Sequence, residues 1–198
     1  MIQMPILQET TIAIFAASRG PGPAVAHAAA QQGARIVAID GNPVALSEIA
    51  GLHPVKIETL VMNGDQLENL RNLKDSWGAV PTDLVLNLLP LDPRVEITAQ
   101  MRGLSALVQA MGRGVVAGKG AIVTVVERPR EALSLTAQGM LGAVDHACAA
   151  LGRELAARSV RVHVVTVPQG QAEMAMKTVL YLGSDAGRSV QSGRIDLG

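Results

Sequence analysis

Aromatic residues are nearly missing from this 198-residue chain, with Phe15, Trp77 and Tyr181 the only three. Single-stranded nucleic acid is gripped by several stacking aromatics, so that class of function is excluded. The core must instead be assembled from Ala, Val, Leu, Ile and Met. Surplus charge is missing as well: 17 Lys and Arg balance 17 Asp and Glu. A broad cationic surface for DNA or RNA is therefore not expected. Near-zero net charge also gives little protection against self-association, which favours an oligomer. The single cysteine, Cys148, cannot close an intrachain disulfide, so nothing points to an oxidising compartment. No apolar run reaches the ~18 residues of a membrane helix. The stretch from Ile12 breaks at Arg19, Gly20 and Pro21, and no cation precedes Arg19 as a secretory signal would require. The expectation is a soluble cytoplasmic protein with no membrane or nucleic-acid partner. The four histidines (His27, His53, His146 and His163) lack metal-ligand spacing, so no metal is expected.

What is present is alternation. Apolar, β-branched runs at Thr11–Ala16, Arg35–Ile39, Val55–Val61, Asp83–Leu89, Ala121–Val126, Val160–Thr166 and Arg194–Leu197 read as strands. Runs that are apolar throughout mark strands covered on both faces. Between them lie helix-length segments: Ala24–Gln32, Pro43–Ala50, a stretch capped by Asp65 and running to Asp75, Pro93–Arg113, Leu135–Arg158 and Ala172–Gly183. Repeated βαβ units predict a doubly wound, Rossmann-like parallel sheet of about seven strands, a single α/β domain over residues 1–198. No internal repeat, low-complexity tract or interdomain linker interrupts it.

Ligands in such sheets bind at the carboxyl ends of the strands, near the point where strand order reverses. The loop after the first strand reads Ala17-Ser18-Arg19-Gly20-Pro21-Gly22-Pro23. Glycines let a backbone approach a phosphate, and the following helix offers its positive end. Asp40 closes the second strand about 20 residues beyond Gly20, where a carboxylate can accept from an adenosine ribose and repel a 2′-phosphate. The plainer reading is a tight strand-to-helix turn.

These segments together resemble the short-chain dehydrogenase/reductase family over nearly the whole chain. Phe15–Gly22 falls on the family's T-G-x-x-x-G-x-G, and Ile36–Pro43 on its second strand with the NAD-selecting acid. Asp83–Pro90 falls on the strand that ends in N-N-A-G, while Val179–Asp185 and Ser192–Gly198 are similar to the C-terminal signature. The resemblance implies a cofactor seat made by Ser18, Arg19, Gly20, Gly22, Asp40 and Asn87. It also implies dimerisation through the helices after strands four and five. Those helices read as apolar on more than one side, and Gly139, Gly142, Ala143, Ala147 and Ala150 are small enough for close approach.

The departures from the family decide the functional expectation. Its Y-x-x-x-K pair falls on Ala137 and Leu141, its serine near Val126 or Glu127, and its asparagine on Gln100. The reductase reaction needs a phenolic proton donor beside an ammonium, and a hydroxyl to hold the carbonyl oxygen. Ala137 and Leu141 supply none of these, so no catalytic residue is assigned. The family's first loop glycine is Ala16, Pro21 and Pro23 carry no amide proton, and Pro90 replaces the last glycine of N-N-A-G. NAD is therefore expected to bind weakly if it binds. The segment 168–173 runs almost directly into the last helix, so the family's substrate lid is shortened. Glu127, Arg128, Arg130 and Glu131 read as a solvated cluster, with Glu127 a candidate substitute acid. His146 reads as a surface or interface residue, Cys148 as an inert buried thiol, and Ser134 and Thr136 as helix-capping residues.

The resulting expectation is a short-chain dehydrogenase-like subunit without catalysis of its own. It would serve as a structural or regulatory partner in a homo-oligomer, or in a hetero-oligomer with an active paralogue. The alternatives are an NAD-dependent oxidoreductase with atypical catalytic groups and a nucleotide-binding sensor.

Overall fold

Strand β1, Thr11–Phe15, is buried at every position after the first. That burial needs cover on both sides, and the chain supplies it as three layers. In the computed structural model, which describes residues 7–89, 96–128 and 135–198, β1 leads to α1 (Gly22–Gln31), β2 (Arg35–Asp40), α2 (Pro43–Leu52), β3 (Ile57–Val61), α3 (Gln66–Trp77) and β4 (Leu84–Asn87). Then come α4 (Ile97–Gly118), β5 (Ala121–Arg128), α5 (Leu135–Leu155), β6 (Arg161–Pro168), α6 (Ala175–Gly183) and β7 (Gly193–Asp196). Short 3-10 turns follow α5 (Ala156–Arg158), precede α6 (Ala172–Met174) and follow α6 (Asp185–Ser189).

The seven strands form one parallel sheet in the order β3-β2-β1-β4-β5-β6-β7. Strand alternation splits the core in two. Ile12, Ile14, Ile36, Leu84, Leu86 and Val165 face α1, α2 and α6. Ala13, Phe15, Ile39, Val85, Ile122 and Val162 face α3, α4 and α5. The doubly wound reading of the sequence is therefore correct.

Local signals set the helix starts. Asp65 Oδ1 accepts from the Leu67 and Glu68 amides at 2.8 and 3.1 Å, capping α3. Asn42 Oδ1 accepts from Val44 and Ala45 at 3.1 and 3.2 Å, and Pro43 occupies the first helical position, where its missing N–H costs nothing. The sequence-based start of α4 at Pro93 lies outside the described residues, as do Pro90, Arg130, Glu131 and Ser134. The order reverses between β1 and β4, whose carboxyl ends therefore border the crevice where ligands sit in such sheets.

Candidate functional site

The β1–α1 loop starts with Ala16 in the left-handed region, φ 55°. A side chain there costs about 1–2 kcal/mol, a strain that a glycine would avoid. Gly20 follows at φ 46°, where glycine carries no such penalty. Gly22 is required for a different reason. A Cβ on it would stand 2.2 Å from the Ala17 carbonyl oxygen and 3.1 Å from Leu88 Cδ1. The first turn of α1 thus lies directly against the end of β1.

Most of the loop's amides are spent on the chain itself. The Ala17 amide donates to the Ile39 carbonyl at 3.1 Å, Arg19 to Ala16 at 2.9 Å, and Gly22 to Arg19 at 2.9 Å. The Ser18 amide and hydroxyl both donate to Asp40 Oδ2, at 2.9 and 2.7 Å. The Asn42 amide donates to Asp40 Oδ1 at 3.0 Å. A carboxylate offers about four acceptor directions, and these three bonds take most of them. Partial burial pushes the Asp40 pKa up. The Ser18 amide and hydroxyl and the amides of Asn42 and Gly41 outweigh that and hold it below the ordinary 3.8. Because the folded pKa is depressed, Asp40 contributes stability above the unfolded value, and that contribution is lost as pH falls through the folded one. Asp40→Ala is expected to cost about 1–2 kcal/mol at pH 7, and less near pH 2, as the carboxylate's advantage fades. Urea unfolding at the two pH values checks this; an equal cost at both would show that the bonds to Asp40 are not the cause.

Asn87, 5% exposed, is equally engaged. Its Nδ2 donates to Thr124 Oγ1 at 3.3 Å, across the β4–β5 register, and its Oδ1 accepts from the Leu89 amide at 3.2 Å.

At the crevice is a cavity of about 370 Å³. Leu88, Leu89, Val125 and Val126 make its apolar wall, Arg19, Gly20 and Pro21 one rim, and Glu127 and Ala172 the other. Ala172 sits in the 3-10 turn before α6, and its Cβ lies 3.0 Å from where a Gly20 Cβ would be. The Gly170 amide donates to Glu127 Oε2 at 3.1 Å, so the 169–174 connection is tied to the end of β5. Arg128 binds the Gly198 carbonyl, and Thr166 binds Asp196. Both bonds hold the C-terminal strand against the same end of the sheet.

Of the six expected seat residues, Arg19 and Gly20 line the cavity, Ser18 and Asp40 bind each other, Gly22 is a packing position, and Asn87 braces two strands. Sequence reasoning missed Ala172. Its only signal was the shortness of the 168–173 segment. Val126 and Glu127 do reach the cavity, whereas Tyr181 lies on α6 and is 42% exposed.

No protein-family model matches the chain, and no curated protein matches it. A solved structure described as a "short chain dehydrogenase/reductase family protein" superposes with a TM-score of 0.80 over 97% of both chains, at 19% identity. The fold is that of a short-chain dehydrogenase/reductase.

That fold typically carries NAD or NADP, and the residues here fit such a cofactor poorly. The amides of Ser18, Arg19 and Gly22 are already donated within the loop, and proline at 21 and 23 has none to offer. Ala172 stands against Gly20, where a pyrophosphate would need the backbone bare.

The remaining candidates resolve simply. Cys148 is buried, and burial pushes its thiol up to about 11, partly offset by a bond to Thr124. It is therefore not a nucleophile at neutral pH. His146 is exposed, with Nδ1 2.8 Å from the Gly142 carbonyl, one helical turn back. A carbonyl only accepts, so Nδ1 carries the proton. Among the described residues no three His, Cys, Asp or Glu are grouped to hold a metal ion, and no helix is long and apolar enough to cross a membrane.

Proposed function

We propose that this chain is a non-catalytic short-chain dehydrogenase-like subunit, a structural or regulatory partner in an oxidoreductase assembly. The observation that carries the reading is the self-satisfied β1–α1 loop. The Ser18 amide and hydroxyl and the Asn42 amide hold the acid expected to meet a ribose, the Arg19 and Gly22 amides bond within the loop, and Ala172 stands against Gly20. The sequence supports it independently, since Ala137 and Leu141 stand where the proton relay should be.

Assembly runs through α4 and α5, with a second copy or an active paralogue. Gly139, His146 and Ala150 are exposed on α5, while Ala143 and Ala147 are half-buried. Ala147 also packs against the chain's own core, so a bulky residue there would disturb the fold as well as any contact. Ala150 is the cleaner probe. Ala150→Trp is expected to lower the mass of the assembly in light scattering without changing the far-UV spectrum.

The second reading, an NAD-dependent oxidoreductase, is favoured by Glu127 at the cavity rim. Turnover and binding assays on the isolated chain separate the two. The subunit reading expects no carbonyl reduction or alcohol oxidation above background, because loss of a general acid alone removes about 10²–10⁴ in rate. It expects NAD to bind with a Kd of about 100 μM or weaker, roughly −5.5 kcal/mol, and NADP more weakly still, since Asp40 repels a 2′-phosphate. Robust turnover that Glu127→Gln abolishes would establish the enzyme instead. Submicromolar NAD would overturn the reading of the loop.

A further inference from the structure

Away from the crevice, α3 and α4 leave a groove of about 240 Å³ between them. Leu70 and Ala106 form part of its floor, and Arg71, Lys74, Arg102 and Ser105 stand around it. The spacing is helical. Residues 71 and 74 fall on one stripe of α3, and 102 and 105, with Gln109 a turn further on, fall on one stripe of α4. Three cations therefore converge on one small concavity from two helices.

The convergence is local, because the chain as a whole carries no net charge. No Asp or Glu lines the groove. Elsewhere Arg35, Arg188 and Arg194 each pair with a carboxylate, but among the described residues Arg71, Lys74 and Arg102 are in no ion pair. A fourth cation, Arg113, lies at the edge, its guanidinium donating to the Lys74 carbonyl at 3.3 Å. Like charges brought together repel one another, and an anion relieves that repulsion. The guanidinium fork matches phosphate oxygens in pairs, and lysine adds a mobile point charge. The apolar floor offers a place for a short hydrocarbon body beside the charged head.

We propose that the α3–α4 groove binds a small, soluble phosphate monoester, its phosphate between Arg71, Lys74 and Arg102 and its apolar part on Leu70 and Ala106. Hexyl phosphate, inorganic phosphate and hexanol serve as probes in calorimetric titrations of the full chain. Hexyl phosphate is expected to bind with a Kd of about 1 mM or tighter, inorganic phosphate several-fold more weakly, and hexanol not at all. Arg71→Gln and Arg102→Gln are each expected to weaken hexyl phosphate by about tenfold, in keeping with loss of a charge-assisted bond. Glutamine is a good helix former, so melting temperatures of both variants should match the parent. Arg153→Gln, an exposed cation on α5, is expected to leave binding unchanged. Absence of hexyl phosphate binding would overturn the proposal. So would binding that survives both groove variants but is lost in Arg19→Gln, which would place the anion at the crevice. Vesicles containing phosphatidic acid that bind while hexyl phosphate does not would overturn the soluble ligand.

Discussion

Gly22→Ala is expected to destabilise the chain by about 3 kcal/mol or more, the upper end of what overpacking does. The added methyl would lie 2.2 Å from the Ala17 carbonyl oxygen and 2.9 Å from its carbonyl carbon. Neither atom can retreat cheaply, because the Ala17 amide is bonded to Ile39 and the Leu88 amide to Phe15. The matching control is Gly51→Ala on α2, where nothing lies within 4 Å of the new Cβ. That change is expected to be neutral or to stabilise by up to about 1 kcal/mol, the helix preference for alanine. Urea unfolding of both variants without any nucleotide makes the comparison. The outcome also bears on what the glycine is for. A glycine kept only for cofactor approach would lose affinity on substitution and leave the empty fold intact. Gly22→Ala at parental stability would mean the β1–α1 contact is looser than described.

His163 carries the second large effect. It lies on β6, is 0% exposed, and neither ring nitrogen has a partner. Strand alternation puts it on the face of Val165 and Val167, toward α6, together with Arg161, whose guanidinium donates to the Leu182 and Gly187 carbonyls. Burial, and then the Arg161 charge, push its pKa down from 6.5 to about 4. The unfolded chain therefore takes up a proton near pH 6.5, whereas the folded chain resists until about pH 4. Across that window the unfolded state binds more protons, so stability falls as pH falls, by about 3 kcal/mol in all from this one group. His163→Leu keeps the volume roughly, removes two unbonded nitrogens and abolishes the titration. It is expected to raise the melting temperature at pH 7 by roughly 2–10 °C, from about 1–3 kcal/mol, and to widen its lead over the parent at pH 5. Calorimetric melts of both proteins at several pH values decide it. Parallel curves between pH 4 and 7 would show that the histidine is solvated.

The fold was legible because its strands are buried on both faces and so carry unbroken apolar runs. Where the reading slipped, tertiary contact was the reason. Val55 reads as strand but is 89% exposed, in a turn where the Lys56 and Ile57 amides both return to the His53 carbonyl. Helix α4 runs beyond Arg113 to Gly118, through glycines that usually end helices, because the bare backbone at Gly114 and Gly118 lies against Val80 and Thr82. At the site, sequence spacing found both Ser18 and Asp40. It could not tell that residues 22 apart along the chain spend their hydrogen bonds on each other. His163 looked like one of four scattered histidines, since nothing in its neighbours announces an unbonded ring.

The closed hydrogen bonding between Ser18, Asp40 and Asn42 has a consequence for how the protein behaves in a cell. A protein whose binding loop is ordered by its ligand gains stability in proportion to how far the ligand concentration exceeds Kd. Under the subunit reading proposed above the ordering bonds are internal, so that linkage is expected to be weak. The melting temperature is then expected to be set by the chain, and its abundance should stay level when the nucleotide pool rises or falls.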